Sequence, residues 1–269
     1  MSFFDIKKKL DNYAYSFFNV MSDVVFLLSF SKRKKLKKNS IYKDKHFGER
    51  CFIVGTGPSI LEVEPNYLDA LDGEVVFAVN SFYKSKCLDG IVPSYYALLD
   101  NNYYGVSKGE FNRILDKYKE SPPVFIADLR AESLLRYRLK SENNIFIYAK
   151  NYPLKFVRCD LTGNISASMN VVSFCVQAAM YMGFKEIYLL GCDYNAFCSY
   201  GGGHCYDDEE ELSELPSYNL AFYLKYYYLT TEFHYIIRRT AKNNNVGVFN
   251  ITDGSLLDAY PRKSISEVI

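Results

Sequence analysis

A turn suited to binding phosphate is the first chemistry that the sequence suggests. It directly follows the apolar run Cys51 to Val54 and consists of Gly55, Thr56, Gly57, Pro58 and Ser59. Glycines let backbone N–H groups approach a phosphate, and Pro and Ser suit the start of a helix, whose N-terminus attracts anions. The segment is neither a Walker motif nor a complete dinucleotide fingerprint. It predicts a nucleotide cradle, with an ordinary strand-to-helix turn as the alternative.

Polar side chains follow two further apolar runs. Asn80 and Ser81 come after the first, and Asp100 and Asn101 come after the second. Ligands of open α/β sheets lie beyond the carboxyl ends of the strands, so these side chains are placed to hydrogen-bond a ribose or a base edge. Each of them also suits a helix cap or a turn, and that alternative stays open.

A third apolar run ends near Asp193 and leads into a glycine-rich loop that holds His204. Histidine suits proton transfer near neutral pH, and we assign Asp193 and His204 to the catalytic set. Among the other histidines, His46 lies in a predicted linker, and the surroundings of His234 favour a core or surface position. We expect no metal site, because no second ligand pair completes a zinc site with Cys198, His204 and Cys205.

The elements that must position these residues form an α/β pattern. Helix-like stretches at Ser168 to Met182 and Leu220 to Lys242 separate some of the short apolar runs, and this alternation predicts a mainly parallel, doubly wound sheet. We predict one Rossmann-like domain over residues 50–269. The strand candidates are Cys51 to Val54, Val75 to Val79, Tyr95 to Leu99, Val124 to Ala127, Ile145 to Tyr148, Ile187 to Leu190 and Val246 to Asn250.

Residues 1–49 are predicted to form an amphipathic basic helix followed by a linker at 39–49. Asn19 and Asp23 belong to the polar face. The apolar stripe has three alternative uses: packing on the body, pairing with another subunit as a homo-oligomer, or contact with an anionic membrane beside the basic run Lys32 to Lys38. The stripe consists of Phe3, Ile6, Leu10, Tyr13, Phe17, Val20, Val24 and Leu27.

Charge and cysteine content narrow the class of protein. Residues 1–46 carry 11 Lys or Arg and 4 Asp, a formal charge of +7, whereas the remainder carries −6. A net-negative body without a recognisable nucleic-acid module argues against nucleic-acid binding. Seven cysteines without paired spacing indicate free thiols and a reducing compartment, and no cleavable signal is evident. We expect a cytoplasmic protein that is peripheral on the inner face of the membrane if the helix binds lipid.

Three segments occur in the order and near the spacing of a known family: Ile53 to Ser59, Asn80 to Tyr83 and Met182 to Asp193. Over about residues 50–260 the chain resembles the bacterial sialyltransferases of glycosyltransferase family 42 and related surface-polysaccharide proteins. The resemblance implies one Rossmann-like domain with a small lid, here at about 195–220. It also implies inverting, metal-independent transfer of sialic acid from a CMP-linked donor, so no separate cofactor is expected.

The resemblance implies roles for single residues as well. The glycine turn and Asn80 would hold the nucleotide, and Asp100 and Asn101 would make a further nucleotide or sugar contact. Ser166 and Ser168 lie in a loosely matching segment near the donor, and Tyr200 and Tyr206 correspond to tyrosines that stabilise the leaving phosphate. The family's base histidine has no counterpart near Tyr226 to Tyr228. His204, Asp207 or Asp208 are the alternatives for that base, or the reaction is not sialyl transfer.

The sequence therefore predicts a glycosyltransferase. Its donor would be a CMP-linked nonulosonic acid, and its acceptor would be a glycan or a lipid-linked sugar of a surface polysaccharide or lipopolysaccharide. Two other functions remain as alternatives: an ATP- and Mg²⁺-dependent pyrophosphokinase-like phosphotransferase, because a glycine turn serves any phosphate, and a non-catalytic assembly protein.

Overall fold

Eight strands form a single parallel sheet in the computed structural model of the chain, which describes residues 3–99, 103, 109–133, 135, 143–167, 169–198, 203–207 and 219–269. The strands are β1 Arg50–Val54, β2 Val76–Val79, β3 Tyr95–Leu98, β4 Val124–Asp128, β5 Ile145–Asn151, β6 Asn164–Ser166, β7 Glu186–Leu190 and β8 Gly247–Asn250. Every neighbouring pair is parallel. The predicted α/β class is confirmed.

Helices connect and cover these strands. The α-helices are α1 Phe3–Leu28, α2 Phe30–Leu36, α3 Pro65–Asp69, α4 Glu110–Lys117, α5 Val171–Tyr181 and α6 Leu220–Asn243. Short 3-10 helices occur at Lys37–Tyr42, Pro58–Glu62, Asn80–Lys84, Lys86–Leu88, Leu129–Ala131, Ala196–Cys198 and Ile265–Glu267.

The strand order is β6-β5-β4-β3-β2-β1-β7-β8. The chain builds the sheet outward from β1 to β6, returns through α5, and adds β7 on the other side of β1. The carboxyl ends of β1 and β7 therefore flank the point where the strand order reverses, which is where open α/β sheets leave a crevice for ligands.

Both faces of the sheet are buried, and consecutive strand residues alternate between them. In β1, Cys51 and Ile53 belong to the cluster that packs under α5, whereas Phe52 and Val54 belong to the cluster on the opposite face. A parallel sheet covered on both sides needs apolar residues at every position. This is why the central strands read as uninterrupted apolar runs.

The predicted strands are all present, with ends shifted by a few residues, and the structure adds β6. This strand has three residues and pairs with the extended end of β5. Asn164 and Ser166 stand at its two ends, so it has no apolar run that would reveal it. Helix α5 begins at Val171 rather than at Ser168, because Asn170 caps it by accepting from the N–H groups of Val172 and Ser173.

Helix α1 docks on the body through its polar side. The Asn19 amide accepts from the Tyr152 N–H at 2.7 Å and donates to the Tyr152 carbonyl at 2.9 Å. The Asp23 carboxylate accepts from Asn151 and Asn164 at 3.0 Å and from Arg158 at 2.6 Å. The alternative in which the apolar stripe packs on the body is therefore wrong for the described residues, because polar side chains take that position to satisfy groups at the ends of β5 and β6.

Residues 39–49, expected to be a linker, are packed in place. Asn39 is 2% exposed and its amide donates to the carbonyls of Phe146 and Leu161, each at 2.7 Å. The His46 N–H donates to the Met182 carbonyl at 2.8 Å, and its ring contacts the Tyr95 hydroxyl at 2.7 Å. The connection is thus anchored to the body by Asn39, Tyr42 and His46 although most of its residues are exposed.

None of the described helices is by itself both long enough and apolar enough to cross a bilayer. The segments Asp5–Leu28 and Phe30–Tyr42 meet the criterion only as a pair, and they are bent by 88° at the break between them.

Candidate active site at the strand crossover

A cleft of about 190 Å³ lies at the point where the strand order reverses. The ends of β1, β2 and β7 contribute Gly57, Asn80 and Asp193, and the described part of the glycine-rich loop contributes His204. Helix α6 closes the side of the cleft with Tyr227 and His234. The position agrees with the general rule for ligand sites in doubly wound sheets.

Glycine is required where β1 and β7 end, because the two backbones almost touch. A Cβ on Gly55 would lie 2.4 Å from the carbonyl oxygen of Gly191, and one on Gly191 would lie 2.6 Å from Cγ1 of Ile60. A Cβ on Gly57 would lie 1.7 Å from Oδ2 of Asp193. The glycines of this turn therefore allow close packing of the protein on itself.

Three of the four backbone N–H groups of the turn are already in use, whereas the fourth, that of Thr56, donates to no partner among the described backbone groups. The Gly55 N–H donates to Leu190 at 2.8 Å, the Gly57 N–H to Gly191 at 2.9 Å, and the Ser59 N–H to the Asp193 carboxylate at 3.0 Å. Pro58 has no N–H, and the helix it begins is a five-residue 3-10 helix. These three N–H groups therefore hold the turn itself, while Thr56 lines the cleft, and the predicted phosphate cradle stays a prediction.

Asp193 has a structural partner. Its side chain is buried, and its second oxygen accepts from the Ser59 hydroxyl at 2.8 Å. A carboxylate that accepts from the first N–H groups of a helix stabilises that helix end. Asp193 also lines the cleft, and its predicted catalytic role stays a prediction beside this structural one.

Asn80 is a predicted site residue with an unused acceptor. It lines the cleft, and its buried Oδ1 has no hydrogen-bond partner among the residues that the structure describes. Its backbone lies in the left-handed region with φ of 46°, where the Tyr96 hydroxyl donates to its carbonyl at 2.7 Å. Residues held in such conformations concentrate at functional sites, where the surrounding structure fixes them. The Asn80 amide is thus fixed at the cleft with an acceptor unused.

His204 lies in the cleft as the sequence predicted. Its ring stacks on Tyr206 with 4.9 Å between centroids. The next residue ties the segment down, because the Cys205 N–H donates to the Thr56 carbonyl at 2.9 Å and the Ser85 hydroxyl donates to the Cys205 carbonyl at 3.3 Å. The described part of the predicted lid, residues 203–207, is therefore attached to the glycine turn.

His234 is a cleft residue that the sequence reading placed in the core or on the surface. It is fully buried, its Nδ1 contacts the Tyr260 hydroxyl at 2.9 Å, and its Nε2 has no partner in the described part of the chain. Burial lowers the pKa of His234 to about 3, so the ring is neutral at physiological pH. Its spacing from Tyr227 and Thr230 along α6 places all three on one helical face, and that signal was available in the sequence.

Tyr194 connects the end of β7 to α6. Its φ is 60°, which is an unusual backbone for a bulky residue. Its hydroxyl pairs with Thr230, and its ring meets Tyr227 and His234 edge-on, with centroids 4.9 and 5.6 Å apart. Burial raises the pKa of Tyr227 to about 12, so this phenol stays protonated and able to donate. The cleft thus has a wall of phenol and imidazole groups.

Other predicted site residues lie outside the cleft lining. Ser81 is buried and bonds the Tyr103 hydroxyl at 2.8 Å, and the Ser166 hydroxyl accepts from the Arg158 N–H at 2.9 Å. Tyr206 lies behind His204 and packs against the core. These groups have partners within the protein, and the ligand contacts expected of Ser81, Ser166 and Tyr206 stay predictions. Four predicted site residues lie outside the described residues: Asp100, Asn101, Ser168 and Tyr200.

Two further features bear on the choice of site. Among the side chains that the structure describes, no three of His, Cys, Asp or Glu come together in a way that would hold a metal ion.

A second cavity of about 630 Å³ lies beside the 3-10 helix Pro58–Glu62 and is lined by charged residues of both signs, including Glu62, Asp253 and Lys263. Asn80 and His234, which carry unpartnered polar atoms, belong to the smaller cleft.

The fold is shared with a solved glycosyltransferase. The chain aligns with the MAf glycosyltransferase from Magnetospirillum magneticum AMB-1 with a TM-score of 0.50 and 17% identity, covering 88% of this chain and 39% of that one. It also aligns with the sialyltransferase CstII from Campylobacter jejuni, solved with the substrate analogue cytidine-5'-monophosphate, with a TM-score of 0.47, 16% identity and coverage of 80% and 85%. At these identities the likeness establishes the fold alone.

A comparison with curated proteins finds no match. Residues 19–197, more than half of the chain, match the family described as 6-hydroxymethylpterin diphosphokinase MptE-like. The matched segment begins within α1 and ends just after Asp193, so it contains β1 to β7 and the glycine turn. The chain therefore belongs to the MptE-like family.

Proposed function

We propose that this protein is a glycosyltransferase that takes a sugar from a nucleotide donor and passes it to a hydroxyl of a glycan or lipid-linked acceptor. The finer proposal is that the donor is a CMP-linked nonulosonic acid and that transfer is inverting and independent of metal. Support comes from a fold that a known glycosyltransferase shares and from a cleft at the expected ligand position of that fold.

The unpartnered Asn80 amide oxygen is the observation that carries the proposal. A buried acceptor without a partner costs about 1–3 kcal/mol, and a ligand that donates to it removes that cost. His234 Nε2 is a second such atom in the same cleft. Sugar hydroxyls, ribose hydroxyls and the cytosine amino group are all donors of the required kind.

Besides the Asp193 carboxylate, the polar groups of the cleft lining include amides, imidazoles and phenols. Such groups can bind sugar hydroxyls and can stabilise the second negative charge that develops on the phosphate as a nucleoside monophosphate departs from its phosphodiester. In this scheme the Tyr227 phenol stabilises the leaving phosphate, and His204 takes the proton from the acceptor hydroxyl. Asp207, which follows His204 by three residues, is the alternative base within the described residues.

Calorimetric titration with CMP, UDP and GDP tests the proposal. We expect one of the three nucleotides to bind, and Asn80→Ala to weaken that binding about tenfold, as expected for loss of one hydrogen bond in a buried site. Asn66→Ala is a matched control, because Asn66 is exposed and lies outside the cleft. Failure of all three nucleotides to bind at millimolar concentration would remove the nucleotide-sugar proposal.

A phosphotransferase is the second candidate, and the family match favours it, because that family is described by a diphosphokinase. Such an enzyme would bind ATP with Mg²⁺ and transfer a diphosphate. The two candidates separate in one thermal-shift experiment. Stabilisation by Mg²⁺-ATP that EDTA abolishes would support the kinase, whereas stabilisation by CMP that EDTA leaves unchanged would support the glycosyltransferase.

A third candidate is a non-catalytic assembly protein whose striped helix recruits partners. It predicts that neither a nucleotide nor a sugar donor changes the melting temperature. Deletion of residues 1–46 does not isolate this function cleanly, because Asn39 and Tyr42 belong to the packed body. Point substitutions in the cleft, tested with the full chain, are the better experiment.

A further inference from the structure

The side of α1 that faces away from the body is apolar. Leu10, Tyr13, Phe17, Val20, Leu27 and Leu28, which we call the outward face, are each at least 60% exposed. Large exposed apolar patches on proteins mark sites of contact with other proteins or with membranes. The outward face therefore needs an occupant.

The rotation of α1 about its own axis is fixed by the polar contacts on its inward side. Asn19 pairs with both backbone groups of Tyr152, and Asp23 accepts from three side chains of the body. Tyr15 also stacks on Tyr152 at 4.4 Å. Turning the apolar side inward would break all of these contacts. The outward face is thus presented by the docked structure itself.

The charge of the residues around the outward face distinguishes between its two possible partners, a second copy of the chain and a membrane. Residues 1–46 have a formal charge of +7, and basic residues stand at both ends of α1, with Lys7 before the outward face and Arg33, Lys34 and Lys37 exposed after it. A second copy of the chain would bring like charges together at this surface. An anionic bilayer complements the basic flanks and accepts the apolar side chains at the same time.

We propose that the outward face of α1 lies in the headgroup region of an anionic bilayer, with the helix along the membrane surface. The chain bends by 88° between Asp5–Leu28 and Phe30–Tyr42, so the basic segment after the outward face does not continue along the axis of α1. This inference stands on the docking of α1 and is independent of the reaction proposed above.

The same surface extends toward the cleft. Lys8 of α1 pairs with Glu232 of α6 at 2.9 Å, so the two helices come within reach of each other at that point. Leu220, Phe222 and Leu224 on the first turns of α6 are each at least 44% exposed, and the same helix lines the cleft with Tyr227 and His234. Membrane contact would therefore bring the cleft near lipid-linked molecules.

Vesicle flotation of the full chain tests the proposal. We expect it to float with vesicles that contain phosphatidylglycerol, and at least about tenfold less with vesicles of phosphatidylcholine alone. Replacing Leu10 and Phe17 together by Ser should reduce flotation about tenfold or more. Leu61 and Val92 are the matched control pair, because both are exposed apolar residues far from α1 in sequence, and their replacement by Ser should have no effect.

A charge-reversal pair completes the experiment. Lys34→Glu with Lys37→Glu should lower flotation with the anionic vesicles, whereas Lys119→Glu, at an exposed site elsewhere, should not. Equal flotation of the Leu10, Phe17 variant and the unchanged chain would overturn the proposal. A stable dimer that the Leu10, Phe17 variant dissociates, without vesicle binding, would also overturn it and assign the face to a second copy.

Discussion

Both oxygens of the Asp193 carboxylate accept hydrogen bonds from Ser59, one from the backbone N–H at 3.0 Å and one from the hydroxyl at 2.8 Å. These contacts join the end of β7 to the helix that follows β1. A negative charge of the protein thus stands where a ligand phosphate would meet the turn. Other groups of the cleft are available to a ligand, and among the described residues that line it Asn80 and His234 have unpartnered atoms.

Substitution of Asp193 tests this structural role. Asp193→Ala leaves the Ser59 N–H and hydroxyl without their partner, so the free energy of unfolding should fall by about 1–3 kcal/mol. Asp193→Asn should cost less, because the amide oxygen still accepts one bond. Urea unfolding at neutral pH measures both effects. An Asp193→Asn protein that unfolds like the unchanged chain but has lost transfer activity would assign the carboxylate to the chemistry instead.

The fit of Gly57 against Asp193 leads to a second prediction. In Gly57→Ala the new Cβ would lie 1.7 Å from the carboxylate, which must leave Ser59, and we expect a loss of about 1–3 kcal/mol in unfolding free energy. Gly90→Ala is the matched control, since no heavy atom lies within 4 Å of its Cβ position. Urea unfolding curves of the two variants provide the comparison. Similar stabilities would show that the turn has room to move.

Stability should depend on pH through His234. Burial lowers its pKa from the ordinary 6.5 to about 3, so below pH 6.5 the unfolded chain takes up a proton that the folded chain does not. The contribution of the neutral His234 ring to the free energy of unfolding is complete above pH 6.5. It is lost as the pH falls toward 3, by up to about 1.4 kcal/mol per pH unit. His234→Gln cannot titrate at this position, so its unfolding free energy should fall less between pH 6.5 and 4.5. If the unfolding free energies of the two proteins changed with pH in the same way, a buried neutral ring at His234 would be contradicted.

The role of His204 has a kinetic test. If it takes the proton from the acceptor, His204→Ala should lower turnover about 10² to 10⁴-fold while nucleotide affinity changes little. Steady-state rates with a soluble acceptor and calorimetry with the nucleotide measure the two quantities separately. Unchanged turnover would move the base to Asp207, to Asp208 or to the region of Tyr226 to Tyr228.

The sequence predicted the architecture well because a parallel sheet buried on both faces leaves apolar runs such as Phe52 to Val54. It failed for β6, which has three residues and polar ends. For α1 the sequence showed which side is apolar, but it did not show which side meets the body. That choice depends on Tyr152, Asn151 and Asn164, which are distant in the chain and have polar groups that need partners.

The site was predicted in part. The expectation that ligand-binding residues lie beyond the carboxyl ends of parallel strands, which meet on one edge of the sheet, correctly placed Asn80 and His204 at one cleft. The role of Asp193 was missed, since it depends on a contact with Ser59 at a separation of 134 residues. No local pattern reveals such a contact. The core position expected for His234 is confirmed by its complete burial, but the sequence did not show that the ring also lines the cleft.

A crystal structure of the full chain with CMP is the most direct test of whether the cleft binds a nucleotide. We expect the nucleotide in the cleft between β1, β2 and β7, with a hydrogen-bond donor of the ligand on Oδ1 of Asn80 and a polar atom near Nε2 of His234. Nucleotide bound instead in the larger cavity beside Glu62 and Lys263, with Asn80 still unpartnered, would contradict this expectation.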